Sequence, residues 1–301
     1  MRRAVSVSVR VLSDLLSFAA LFIAMSVLQR IQPFRLGYFP NDSTITLPAR
    51  SSTVTSYVLY AVTSVSIIIT VVAIETAIAW DYIQMKKAGI PIVLYSIYDY
   101  LLVAFFGYFA TILITDVGKV AVGRLRPHFV DVCGPVPVET TLLGYVSTYR
   151  CQRNPEKLYD LMKSFPSGHS STAVYSAIFL FVYLQLRQPS WRIPAVRVAF
   201  QTVFLALGVL TCVTRITDNK HHQTDVLAGA VLGFFVALSV PFYMCHLFPA
   251  QPNNSVRVLC PFNAEENCNI PESPSERMVY LTSKNQRDNL HSDVLPSRME
   301  P

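Results

Sequence analysis

The stretch FPSGHSS, residues 165–171, opens an apolar run that continues to about residue 187. A proline, a glycine, a histidine and three serines at the mouth of such a run call for a physical reason. Taken alone the stretch fits a pore lining, a helix cap or an anion site. Working outward, its run is the fourth of six, at about 11–29, 56–80, 96–117, 171–187, 196–213 and 225–247. Arg187 and Arg197 border the fourth and fifth and soften their ends. Of 301 residues, 52% are hydrophobic and 15% charged, where a soluble domain carries about 25% charged residues. A hydrocarbon core of ~30 Å takes roughly 20 apolar residues per helix. Buried helices of a large soluble protein would not supply so many near-membrane lengths with so few charges. The sequence therefore predicts an all-α polytopic membrane protein with six transmembrane helices.

Composition divides the chain into a cytosolic N-terminal segment, 1–10, a six-helix membrane domain, 11–247, and a flexible cytosolic tail, 248–301, rich in Pro, Ser and Asn. Arg2, Arg3 and Arg10 precede the first run, but that run lacks a clear small-residue cleavage site and reads as a retained helix. The net charge is +6, yet the basic residues are scattered and form no Lys/Arg block, so no nucleic-acid partner is expected. Asp14, Glu75 and Asp99 fall inside apolar runs, where they are expected to pair within the bundle.

Six crossings put both termini on one side and the loops 30–55, 118–170 and 214–224 together on the other. The Lys/Arg distribution does not settle which side is which. Asn41-Asp42-Ser43 is a glycosylation sequon in the first of these loops. Cys133 and Cys151 share the second, as a disulfide or as two free thiols. Both features favour a cytosolic N-terminus and an extracellular or lumenal loop face. Cys212 and Cys245 fall in helices and Cys260 and Cys268 in the tail, and all four are expected to be reduced.

Parity gathers three polar clusters at that face: KVAVGRLRP, residues 119–127; PSGH, residues 166–169; and TRITDNKHHQTD, residues 214–225. Lys119, Arg126 and Arg215 are suited to a dianion, the guanidinium as a planar fork and the ammonium as a point charge. Ser167 offers a hydroxyl and Gly168 a close backbone N–H, at a helix start whose free N–H groups favour anions. His221 and Asp225 stand at i and i+4, so on a helical turn the carboxylate would hold Nδ1–H and leave Nε2 nucleophilic. His169 can then protonate a departing oxygen. Each piece has a plainer reading. Lone basic residues at a membrane edge snorkel to headgroups. PSGH is also a helix cap, and His221, His222 and Asp225 also suit a metal. His128 and His222 read as interface residues.

Together, Lys119-x6-Arg126-Pro127, Pro166-Ser167-Gly168-His169 and Arg215-x5-His221-x3-Asp225 resemble the three-part pattern of the type 2 phosphatidic acid phosphatase superfamily. The stretch FRLGYFPNDSTITLP before the second run also resembles its integral-membrane lipid phosphate phosphatases. The resemblance spans roughly residues 10–247. It implies metal-independent hydrolysis of phosphatidate, lysophosphatidate, sphingosine 1-phosphate and ceramide 1-phosphate through a phosphohistidine, with no cofactor. It implies His221 as nucleophile, Asp225 as its orienting group and His169 as acid, with Lys119, Arg126, Ser167, Gly168 and Arg215 on the phosphate. It also implies a site on the extracellular or lumenal side, with the plasma membrane as the expected location. Thr214 stands where the family usually has serine, which keeps a hydroxyl. The competing reading is a non-catalytic membrane protein that binds lipid phosphates or partners. Self-association is left open by the sequence.

Overall fold

A computed structural model describes residues 2–84, 90–187 and 194–244. The expected tail, 248–301, and Cys245, Cys260 and Cys268 lie outside the described residues. Six long helices form the framework: α1 (Arg2–Arg30), α2 (Ser56–Gln84), α3 (Ile90–Val122), α6 (Gly168–Arg187), α7 (Pro194–Thr217) and α8 (Gln223–Met244). Between α3 and α6 lie two short helices, α4 (Phe129–Cys133) and α5 (Leu158–Leu161), and an antiparallel hairpin of β1 (Pro135–Thr140) and β2 (Val146–Cys151). α1 is already helical at Arg2, ahead of the apolar run that begins at about residue 11.

Among the described residues, five helices are long and apolar enough to cross a membrane: Ser8–Arg30, Ser56–Trp80, Val93–Val122, Pro194–Thr217 and Gln223–Val240. The exception, α6, has 20 residues, enough for about 30 Å. Its lower hydropathy has a structural cause. It packs against α2, α3, α7 and α8 at once, so little of it needs to face lipid. Its buried face includes Ser170, Ser171, Thr172 and Ser176. Small hydroxyls suit such a helix because they satisfy themselves on the preceding turn: Ser171 Oγ bonds the Gly168 carbonyl and Ser176 Oγ the Thr172 carbonyl. Small groups also let helix backbones touch. Gly229 and Gly233 of α8 lie against the carbonyl oxygens of Ser167 and Ser171, where any Cβ would collide.

The charged residues inside the apolar runs are paired. Tyr98 donates to Asp14 at 2.8 Å, Arg10 bonds Asp99 at 2.9 Å, and Arg187 forks onto Glu75 with contacts of 2.8 and 2.6 Å.

At the opposite end from Glu75 the segments 31–55, 123–167 and 218–222 knit into one cap. Leu47 N–H bonds the Pro127 carbonyl, Ala49 N–H the Asp131 carboxylate, and Thr53 both its N–H and hydroxyl to Asp218. His128 Nδ1 pairs with the Asn219 carbonyl. The cap has its own core of Tyr38, Phe129 and Tyr149, packed edge to face, with Val146, Leu161 and Met162. A disulfide joins Cys133 and Cys151 within it. Asn41 is exposed on this cap.

Candidate active site

The cap segments and the ends of four helices converge on one cluster. Lys119 sits in the last turn of α3, its Nζ 2.8 Å from Asp116. It also approaches Gly168 so closely that a Cβ there would lie 3.1 Å from Nζ. Gly123 then ends α3 with φ +63°, a conformation that favours glycine. The chain beyond runs alongside residues 161–164: Arg126 N–H bonds the Leu161 carbonyl and Ser164 N–H the Arg124 carbonyl. Leu125 is buried in the cap core. Arg126 fixes its guanidinium on the carbonyl and carboxylate of Asp160, at 3.0 and 2.8 Å.

The FPSGHSS stretch is a helix cap and a contact surface at once. Ser167 precedes the first residue of α6, its carbonyl accepts from Ser171 N–H, and its N–H bonds the Asp225 carbonyl. The Ser170 hydroxyl donates to Ser167 Oγ at 3.0 Å. His169, in the first turn of α6, bonds the Val54 backbone. Its Nε2 is buried and has no partner among the described residues. Arg215, in the last turn of α7, is almost fully buried; Nη2 reaches Asp218 at 3.0 Å, while Nε is unpartnered. Lys119 and Arg126 are among the charges that act on both His169 and His221, and Arg215 also acts on His169.

His221 departs from the sequence expectation in one contact. The expected carboxylate partner, Asp225, stands 4.0 Å from Nδ1. Nδ1 instead meets the Ser164 backbone carbonyl at 2.7 Å. The reason is local. Asn219 adopts φ +55° and the chain turns there, so α8 starts only at Gln223 and His221 is not helical. Asp225 is the third residue of α8 and reaches back to cap it: His222 N–H donates to Asp225 Oδ2 at 3.0 Å, the reciprocal half of a capping box. The same carboxylate takes His222 Nδ1, the Ser164 hydroxyl at 2.6 Å and Arg124 Nη1. Asp225 thus connects to His221 through Ser164.

Two residues of this network carried no expectation: Ser164, fully buried, and Arg124. Arg124 lies inside KVAVGRLRP, and a second arginine at that spacing was the available signal. Ser164 sits just ahead of FPSGHSS, and nothing in its identity marks a backbone carbonyl as the His221 partner.

A carbonyl oxygen can only accept, so the ring proton of His221 is on Nδ1 and the lone pair is on Nε2. Burial, and after it the Arg126 charge, holds the His221 pKa well below the ordinary histidine value, so the ring is neutral at neutral pH. Among the described residues, no three His, Cys, Asp or Glu side chains are grouped to hold a metal.

A helical membrane bundle that ends in three cations around neutral, tautomer-fixed histidine defines a membrane enzyme acting on phosphate esters. Comparison with known proteins narrows this class. The PAP2 superfamily profile matches residues 100–247. Rat phospholipid phosphatase 1 is 32% identical over 230 residues, covering 76% of this chain and 82% of the relative. Human phospholipid phosphatase 2 is 30% identical over 245 residues, covering 80% and 85%. Rat phospholipid phosphatase 2 is 30% identical over 224 residues, covering 74% and 81%. No solved structure matches the chain. The chain belongs to the PAP2 superfamily. It is an integral membrane phosphatase of the phosphatidate phosphatase class, acting on lipid phosphates.

Proposed function

We propose that this phosphatase hydrolyses phosphatidate, lysophosphatidate, sphingosine 1-phosphate and ceramide 1-phosphate through a phosphohistidine on His221, without a divalent metal. The observation that carries the reading is the 2.7 Å contact of His221 Nδ1 with the Ser164 carbonyl, which leaves Nε2 unprotonated. Nε2 attacks phosphorus, the ester P–O bond breaks, and His169 gives a proton to the leaving alkoxide; burial and the Arg215, Lys119 and Arg126 charges lower the pKa of its ring, and the bound phosphate dianion offsets those charges so that the ring holds this proton. His169 then takes a proton from water as the water attacks the phosphoimidazole, releasing phosphate and restoring both rings. Lys119, Arg126 and Arg215, with the Ser167 hydroxyl and Gly168 N–H, hold the phosphoryl oxygens, whose charge rises in the transition state. Asp225 positions His221 through Ser164, whose hydroxyl it accepts and whose carbonyl holds the ring.

The active site opens on the extracellular or lumenal side, and the plasma membrane is the membrane we assign. The exposed sequon Asn41 and the Cys133–Cys151 disulfide, both on the site's cap, support that side. A substrate panel on purified wild type and His221→Ala tests the reading. Wild type should release phosphate from the four lipids in the presence of EDTA, and His221→Ala should release none although it reaches the membrane. Full turnover by His221→Ala would overturn the mechanism, and strong inhibition by EDTA would overturn its metal independence.

A further inference from the structure

The site has an apolar annex. A cavity of about 170 Å³ lies between α2, α6 and α7. Val58 and Val62 wall it on α2, Ala173 and Ala177 on α6, and Leu207 and Gly208 on α7. Its wall is continuous with the site. Val54, at its upper edge, is the residue whose backbone bonds His169. Ala173 lies one helical turn below His169 on α6, and Thr211 one turn from Arg215 on α7, each on the same face. Four hydroxyls line this region, those of Thr63, Ser66, Ser176 and Thr211, and three of them are already satisfied. Thr63 bonds Tyr108, Ser176 the Thr172 carbonyl and Thr211 the Leu207 carbonyl. The slot therefore presents walls that are hydrocarbon apart from the Ser66 hydroxyl. Cavities of roughly 150 Å³ with such walls stay dry and take up a small hydrocarbon. Along α6 the lining runs from Ala173 to Leu180, about 10 Å of helix. The rim is open sideways: Val58, Val62, Leu207 and Leu210 are each about half exposed.

We propose that this slot binds the first segment of one acyl or alkyl chain of the lipid phosphate while the phosphate lies on the cation cluster, so that chain length enters substrate selection. The proposal rests on the reaction assigned above and adds to it a site for the chain. The rim lets the chain slide in from the bilayer, and the shared wall places it directly beneath the phosphate cradle. Each methylene moved from water into such a slot stabilises the complex by roughly 0.8 kcal/mol. The chain of a substrate drawn from the bilayer gains less, because lipid is already apolar, and the slot then acts mainly by orientation.

Val62→Trp tests this, because Val62 lies on the rim, half exposed, and is none of the residues assigned to the phosphate or to its transfer. With substrates presented in detergent micelles, kcat/KM for oleoyl lysophosphatidate should fall roughly tenfold, while that for glycerol 3-phosphate, which has no chain, should be unchanged. Equal kcat/KM ratios in variant and wild type would overturn the slot. A second readout does not depend on turnover. A phosphatidate with a photoreactive diazirine near the carboxyl end of its chain, bound to His221→Ala protein, should label peptides within 54–66, 173–180 or 204–211. Excess unlabelled phosphatidate should compete, and Val62→Trp should abolish the labelling. Labelling elsewhere, or labelling that excess phosphatidate leaves intact and that therefore reports bulk lipid, would overturn the proposal. Failure of the reaction assignment would show differently, as retained turnover in His221→Ala.

Discussion

The two ends of the helix bundle both bury charge, and they do so in opposite ways. At the end remote from the cap, Glu75 and Arg187 are almost fully enclosed and fully answered. Glu75 takes both arms of the guanidinium and the Tyr183 hydroxyl, and the Arg187 head lies 4.6 Å from the centre of the Tyr100 ring. At the cap end, Lys119, Arg126 and Arg215 each have one carboxylate to hold them, yet Arg215 Nε and His169 Nε2 are buried without partners. A buried polar atom without a partner costs about 1–3 kcal/mol. The first cluster is closed; the second leaves buried polar atoms unanswered, as the anion site proposed above requires. Arg197 Nε, near the start of α7, is also buried without a partner; the cap cluster differs in that its unanswered atoms stand among several cations.

Breaking the clamp should have the largest effect, on stability. Glu75→Ala leaves Arg187 buried and unpaired, which typically costs about 3–5 kcal/mol. A detergent melt should show a clearly lowered midpoint, while kcat of the remaining folded protein stays near wild type. Arg215→Ala should do the reverse. Loss of one charge-stabilising donor typically costs about 10²–10³ in rate; Asp218 loses its cation but keeps the Thr53 N–H and hydroxyl, so the melting midpoint should fall less than in Glu75→Ala. If both variants lost stability alone, the two ends would not differ in kind.

Ser164 sharpens the comparison at the catalytic end. Ser164→Ala keeps the carbonyl that holds His221 but removes the hydroxyl on Asp225. It should lower kcat about tenfold, the equivalent of one hydrogen bond, with KM little changed. Ser164→Thr should recover most of the loss. In a double-mutant cycle with Asp225→Asn the losses should be less than additive, because both act along one connection. Additive losses would mean that Asp225 works without Ser164.

The smallest effect is a titration. The His221 pKa is lowered, so the neutral ring is the form the fold favours. Its contribution to stability is complete above the unfolded histidine value of about 6.5 and is lost as pH falls towards the lowered folded value. An imidazole NMR titration of labelled protein, assigned by the signal missing in His221→Ala, should show this ring titrating below 6.5. Titration above 6.5 would contradict the burial assigned to it.

Much of this could be read in the sequence, and the limits have physical causes. Apolar runs located all six long helices because lipid demands length and hydrophobicity together. Their ends were placed too short at Lys119 and Arg215, since the cations that serve the cluster sit inside the last helical turns of α3 and α7. The β1–β2 hairpin left no alternation to read: β1 carries Pro135 and Pro137 and lies almost wholly exposed. The i, i+4 spacing of His221 and Asp225 pointed to one another, but a left-handed residue, Asn219, separates them onto a turn and a helix. Spacing arguments hold only where the helix holds. Ser164 was invisible for a simpler reason: its decisive contact uses a main-chain carbonyl, which every residue has.

The central claim is that His221 Nε2 takes the phosphoryl group. Rapid acid-free quenching of the protein during turnover of phosphatidate labelled in its phosphate measures this directly. The account predicts an alkali-stable, acid-labile label on the peptide that contains His221, absent in His221→Ala. A label on another residue, or steady turnover with no label on His221 at any time, would contradict it.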